Sequence, residues 1–189
     1  MKSIKLVTLT ASLMLAGGFL AGCTSDQEKN SESTTVSTAV SSEAEVVTSA
    51  SISDSPEVIA KALSADGNWI VAATKDLTFE SDLVVDGEFH NKGDEASDIY
   101  RKLALYTQDD NHTVTGEFTL TAPKMVINSE NFNIVNGTVK GDIEVNANGF
   151  VLNGANVEGN ITFSKAEYKE SADLAMEGAS VSGDVTVAE

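Results

Sequence analysis

The sequence predicts an all-β fold: a parallel β-helix, one solenoid of about five coils, covered at its N-terminal end by a short helix. Three observations predict it. Glycine-led units recur at a near-constant period. Short segments inside each unit alternate apolar and polar residues. Glycine or asparagine stands at the breaks between segments. A chain that copies itself at a fixed period buries each unit's inner face only against its neighbours, which is the physical basis of a solenoid. At 189 residues the chain has room for one such domain plus appendages. Its net charge of −17, with Arg101 the sole arginine, argues against nucleic acid, because phosphate contacts need clustered cations. One cysteine rules out an internal disulfide and a cysteine zinc site.

The first 22 residues are a separate physical object. Lys2 and Lys5 form a positive start, and Leu6 to Leu20 is an apolar run too short and too polar to span a bilayer comfortably. The run closes on Leu20-Ala21-Gly22-Cys23. This resembles the bacterial lipobox, with small residues before a cysteine whose thiol is diacylated. The resemblance implies that residues 1–22 are a lipoprotein signal peptide and that Cys23 becomes the acylated first residue. Processing would remove Lys2 and Lys5 and no acid, taking the charge from −17 to −19. More than one acyl chain gives durable attachment. The implied location is the bacterial cell membrane, lipid-anchored in the bilayer through Cys23 and facing outside the cytoplasm. An ordinary signal peptide with an incidental cysteine is the bland alternative.

Residues 23–53 form the next segment. Residues 24–53 hold 14 Ser or Thr in 30, five acids, one Lys, and no Gly, Pro or aromatic residue. Such a segment buries too little apolar surface to offset its ordering entropy, so a disordered linker is expected. Its random-coil reach is roughly 30 Å, enough to lift a domain off the headgroups. Val36, Val40, Val46 and Val47 offer only a weak strand pattern.

Residues 54–189 make the folded domain. Ser55-Pro56-Glu57 reads as a helix start, with a hydroxyl N-cap, proline in the first turn and an acid at the positive end of the dipole. Val58, Ile59, Ala62 and Leu63 follow on one face, and Asp66-Gly67 stops the helix, which is expected over 55–65 as the N-terminal cap. Trp69, Ile70 and Val71 begin the sheet, with Trp69 expected under the cap rather than as a sugar-stacking platform. The clearest copies begin at Gly137, Gly154 and Gly178. Within them Gly141 to Gly159 is 18 residues, and Gly159 to Gly183 is 24, which fits 18 plus a loop in 164–171.

Alternation places Ile143 and Val145 inside and Glu144 outside, and likewise Ile161/Phe163 around Thr162 and Val185/Val187 around Thr186. Leu77/Phe79 and Phe118/Leu120 are expected in the same row. A second row is read through 83–85, 125–127, 150–152 and 174–176, and a third through Val139, Val157 and Val181. Three rows describe a triangular section, with Gly and Asn at the corners. The phrase Gly178-Ala179-Ser180-Val181-Ser182-Gly183-Asp184-Val185, with its variants at 154–161 and 137–143, looks like the repeats of bactofilins and other polymer-forming bacterial β-helix proteins. The wider similarity is to the pectin-lyase-like class, which implies a right-handed helix.

An insertion is expected at about 90–113, holding His90, His112, Tyr100, Arg101 and Tyr106. Residues 99–107 and 113–121 read as strands joined by a turn at Asp109-Asp110-Asn111-His112. Tyr100, Arg101 and Tyr106 are the candidate ligand-binding residues. Asp109, Asp110 and His112 are candidate metal ligands, against a plain polar turn. Asp142 and Asp184 follow equivalent glycines and would stack with Asn160 at one corner. Stacked carboxylates there would suit Ca²⁺, although turn chemistry alone explains them. No other cofactor and no catalytic residue is indicated. The outward Thr78, Thr119, Thr162 and Thr186 suggest an ice-binding face, but Glu144 breaks the row and threonine is simply a good strand residue.

The function these features point to is a non-catalytic structural or binding role at the cell envelope, with an envelope polysaccharide or protein as partner. A polysaccharide-acting lyase or hydrolase is the alternative, by analogy with β-helix enzymes. The last strand lies two residues from Glu189, so an open C-terminal edge opposite a capped N-terminal end leads to an expectation of monomer or dimer.

Overall fold

The structure is a computed structural model that describes residues 51–189. The expected signal peptide, Cys23 and the expected linker up to residue 50 lie outside the described residues. What is described is all-β in character, with two parallel sheets, one small antiparallel hairpin, two short α-helices and a 3₁₀ turn at Asn91–Gly93.

The first strand, β1 (Ser51–Ser53), corrects the linker boundary, because these three residues pair in parallel with β2 (Ile70–Ala73). Ile52 is 66% exposed, so burial does not hold β1 in place. Its backbone ladder does, together with side-chain bonds from Asn68 Nδ2 to Ser51 Oγ and from the Ser55 N–H to Ser53 Oγ. No apolar pattern marks such a strand in sequence.

Helix α1 (Pro56–Leu63) forms as its caps dictate. Ser55 Oγ accepts the Val58 N–H, Pro56 opens the first turn and Glu57 sits at the positive end. Ile59, Ala62 and Leu63 are buried at helical spacing. The chain then turns back, with Asn68 N–H donating to the Ala62 carbonyl at 2.9 Å. Trp69 is half-buried rather than sealed under the helix, tilted against Tyr100 with ring centroids 6.2 Å apart.

From β2 the chain makes repeated passes. It visits β3 (Leu77–Thr78) and β4 (Leu83–Val85), then β5 (Arg101–Ala104), and the hairpin β6 (Tyr106–Gln108) and β7 (Val114–Glu117). Next come β8 (Thr119–Ile127), β9 (Phe132–Val135), β10 (Thr138–Val145), β11 (Val151–Asn153), β12 (Asn156–Glu158) and β13 (Ile161–Phe163). Helix α2 (Ala166–Glu170) precedes β14 (Asp173–Met176), β15 (Ser180–Val181) and β16 (Val185–Val187). One parallel sheet runs β1-β2-β5-β9-β11-β14. The other joins β3 and β4 to β8, β8 to β10, and β10 to the pairs β12–β15 and β13–β16.

Register sorts the apolar residues into columns, and here the expected rows change. Leu77 and Leu120 stand over Val139, Val157 and Val181, not over Ile143. Leu83 and Met125 stand over Ile143, Ile161 and Val185, and Val85 and Ile127 over Val145, Phe163 and Val187. The reason is that β8 and β10 each serve all three columns, with the ladder slipping between Lys140 and Asp142. Period-2 alternation looks the same on either side of the slip, so it cannot say which column is which.

The remaining column is Val71, Leu103, Ile134 and Leu152, in the other sheet. The pairing of 150–152 with 174–176 holds, but in that sheet and not beside 83–85 or 125–127. The predicted inside and outside assignments at 143–145 and 161–163 agree with burial: Ile143, Val145, Ile161 and Phe163 are at most 1% exposed. In the last pass Val181, Val185 and Val187 are half-buried.

The repeat glycines have a steric cause. A Cβ at Gly141 (φ +135°) would strike the Ala122 carbonyl, and one at Gly159 would strike the Gly141 carbonyl. Each pass therefore sits against the backbone of the previous one, and only glycine leaves room. The expected single insertion is instead two excursions. Strand β5 lies between them inside the parallel sheet, leaving a loop over 86–100 and the hairpin β6–β7. The hairpin is spliced in at Leu105 and Phe118, whose backbones hydrogen-bond each other at 2.8 Å.

Candidate functional site

The chain segments that follow β4, β8 and β10 share a pattern: Asp86-Gly87-Glu88, Asn128-Ser129-Glu130 and Asn146-Ala147-Asn148. Each is polar, small, polar. They leave the sheet side by side, because the Asn128 N–H donates to the Val85 carbonyl and the Asn146 N–H to the Ile127 carbonyl, both at 2.8 Å. The middle residue turns in: Ser129 is 2% and Ala147 9% exposed. The flanking residues line a cleft of about 320 Å³ together with Gly87, Ala147 and Tyr168, which α2 supplies. Three carboxylates and three carboxamides thus face one space. Asn146 Nδ2 bonds Asn128 Oδ1 at 3.0 Å, and Asn148 Oδ1 accepts from Ser171 Oγ at 3.3 Å. These bonds fix the amides and leave Asn128 Nδ2, Asn146 Oδ1 and Asn148 Nδ2 open. Sequence analysis missed this cleft: the triplets repeat in composition, but their spacing, 42 residues and then 18, hides them from a search at fixed period.

Arg101 lies beneath this region and is a structural residue. It is 0% exposed. Its Nε donates to the Asn68 carbonyl at 3.1 Å. Nη1 donates to the Asp86 carbonyl and to Ser129 Oγ, and Nη2 to the Ala62 and Ser64 carbonyls. All five N–H donors are engaged, so none is left for a ligand. Phe89 covers the guanidinium at 4.1 Å. Two of the acceptors are carbonyls at the negative end of α1, which suits a cation. Burial pushes the group down to about 10, against the pull of Asp86, so it remains charged at neutral pH.

The other sequence candidates are not gathered at the cleft. Tyr100 is half-buried against Trp69, and its burial raises the phenol pKa. Tyr106 lines a separate, more apolar groove with Ile52, Ile70, Ala72 and Lys102, whose ammonium lies 5.9 Å from its ring. Asp109 shapes the expected turn. Its Oδ1 accepts the Asn111 and Thr113 N–H groups, each at 2.9 Å, and the Thr113 bond leads in holding its carboxyl below the usual range. Asp110 is exposed, and His112 adopts φ +62° with Nδ1 3.0 Å from Gln108 Nε2.

Asp142 and Asp184 do stack with Asn160. Asp142 Oδ1 accepts the Asn160 backbone and side-chain N–H groups, and Asn160 Oδ1 accepts the Asp184 N–H at 2.9 Å. This ladder gives the residues a turn role without any ion. Among the described residues, no three His, Cys, Asp or Glu side chains come together as a metal-binding group.

His90 ties the 86–100 loop. Its Nδ1 lies 2.7 Å from the Ser97 carbonyl and its Nε2 3.5 Å from Glu88. The Ser97 bond leads in raising its pKa above 6.5, with Glu88 and Glu95 adding to it against partial burial. A raised folded-state value means that the His90 contribution is complete below the unfolded pKa near 6.5 and is lost as pH rises through the folded one. An NMR titration should therefore show His90 titrating above 6.5. Hydrogen exchange in 88–99 should quicken as pH rises through that point, beyond the intrinsic pH effect. A His90→Gln chain should lack the extra step.

Comparison with protein-family models, with curated proteins and with solved structures returns no match.

Proposed function

We propose that this chain is a lipid-anchored envelope protein whose right-handed parallel β-helix serves as a non-catalytic binding or structural module outside the cytoplasmic membrane. The observation that carries the reading is the place of its only cysteine, Cys23, at the end of a charged-then-apolar leader and before a polar linker. The five passes in constant strand order, with apolar columns in register, support the β-helix. A cleft lined by amides and carboxylates supports binding rather than scaffolding alone. The case for a polysaccharide lyase drew on Arg101, whose donors are all occupied by the fold. Helix α1 packs on β1, β2 and β4 at one end of the stack, opposing head-to-tail growth, so the assembly proposed is monomer or dimer.

The test is Cys23→Ser with palmitate labelling and membrane fractionation. The parent chain should label and remain with the membrane. The variant should take no label and be found uncut or released. A variant that is cut and retained like the parent would contradict the anchor.

A further inference from the structure

We propose that the cleft between the 86–88, 128–130 and 146–148 segments binds a sugar carrying a free amino group. This deepens the binding reading above by naming the ligand chemistry, and rests on that reading only in taking the domain to be a binding module. The lining carries Asp86, Glu88 and Glu130 as carboxylates and no cationic side chain. Glu88 is shared with His90, whose Nε2 lies 3.5 Å away, which leaves Asp86 and Glu130 without an ion pair among the described residues. Lys165, beside Tyr168, is occupied. It sits 4.9 Å from the Tyr168 ring and 3.2 Å from Glu167. A buried arginine underneath faces carbonyls, not the cleft. The space therefore selects for positive charge and against carboxylated or sulfated glycans.

Charge alone does not define the ligand; the carboxamides do. Asn128 and Asn148 each present an uncommitted N–H₂ and Asn146 an uncommitted carbonyl, all fixed by bonds through their other ends. Held amide donors and acceptors on one wall match vicinal hydroxyls, and a carboxylate matches an ammonium in a charge-assisted bond. A volume of about 320 Å³ accommodates one or two sugar rings and not a folded chain. The floor residues Gly87 and Ala147 are small, which keeps that space open.

The experiment is calorimetric titration of the full chain in detergent micelles with the trisaccharide of glucosamine, the trisaccharide of N-acetylglucosamine, and ethylamine. Binding of the amino form is expected. The acetylated form, stripped of its charge, should bind at least about tenfold more weakly, as should ethylamine, which lacks hydroxyls. Glu130→Gln and Glu88→Gln should each weaken the amino sugar about tenfold, with circular dichroism confirming an unchanged fold. No binding of the amino sugar, equal binding of the two trisaccharides, ethylamine binding as tightly as the sugar, or two unaffected variants would each overturn the proposal. None of these results bears on Cys23, whose role is judged separately by fractionation.

Discussion

Replacing Arg101 with methionine should lower stability by about 3–5 kcal/mol, as expected for losing several charge-assisted hydrogen bonds at a buried site. The five acceptors it serves belong to Ala62, Ser64, Asn68, Asp86 and Ser129, drawn from the end of α1 and from two separate turns. Without the guanidinium the Ala62 and Ser64 carbonyls keep the Asn68 and Gly67 N–H groups, while the Asn68 and Asp86 carbonyls and Ser129 Oγ lose a charge-assisted donor, at about 1–3 kcal/mol each before relaxation. Arg101→Lys should recover little, since an ammonium has three donors and no planar fork. Thermal unfolding is the readout, with an expected fall in Tm of roughly 10–20 °C for Arg101→Met. A loss under about 1 kcal/mol would mean that α1 is held by burial of Ile59, Ala62 and Leu63 alone.

Phe163→Ala should cost about 3–5 kcal/mol, while its neighbour Thr162→Ala should stay within about 1 kcal/mol. Phe163 is 0% exposed, in the column of Val85, Ile127, Val145 and Val187. Thr162 points the other way, its hydroxyl 3.5 Å from that of Thr186 on the next strand. One residue apart, the two separate column packing from strand propensity. Denaturant melts of both variants check this, and equal losses would remove the inside and outside assignment.

The period and the alternation were legible in sequence because they are local: glycine spacing and i, i+2 apolar pairs need no knowledge of partners. The cap helix was legible for the same reason, since Ser55, Pro56 and Glu57 act within one turn. Column membership was not, because Leu77 and Leu83 carry the same alternation and only register distinguishes them. The role of Arg101 was hidden because its acceptors lie between 15 and 39 residues away. A lone arginine among acids suggests a ligand, and folding it under α1 turns it into a tie. Likewise Ser51–Ser53 carries no apolar signal, since backbone pairing rather than burial holds it. The cleft triplets repeat in composition but not at constant spacing, because β5 and the hairpin intervene between the first two.

The most direct test of the stacked parallel arrangement is the distance between Val84 and Thr186, 102 residues apart in sequence. Both lie on exposed surface, at opposite ends of the column Val84, Val126, Glu144, Thr162, Thr186. Four strand spacings separate them, so spin labels placed there in a Cys23→Ser chain should give a narrow distance distribution near about 20 Å. A broad distribution, or a mean beyond roughly 30 Å, would show that successive passes do not stack in this register and would contradict the account.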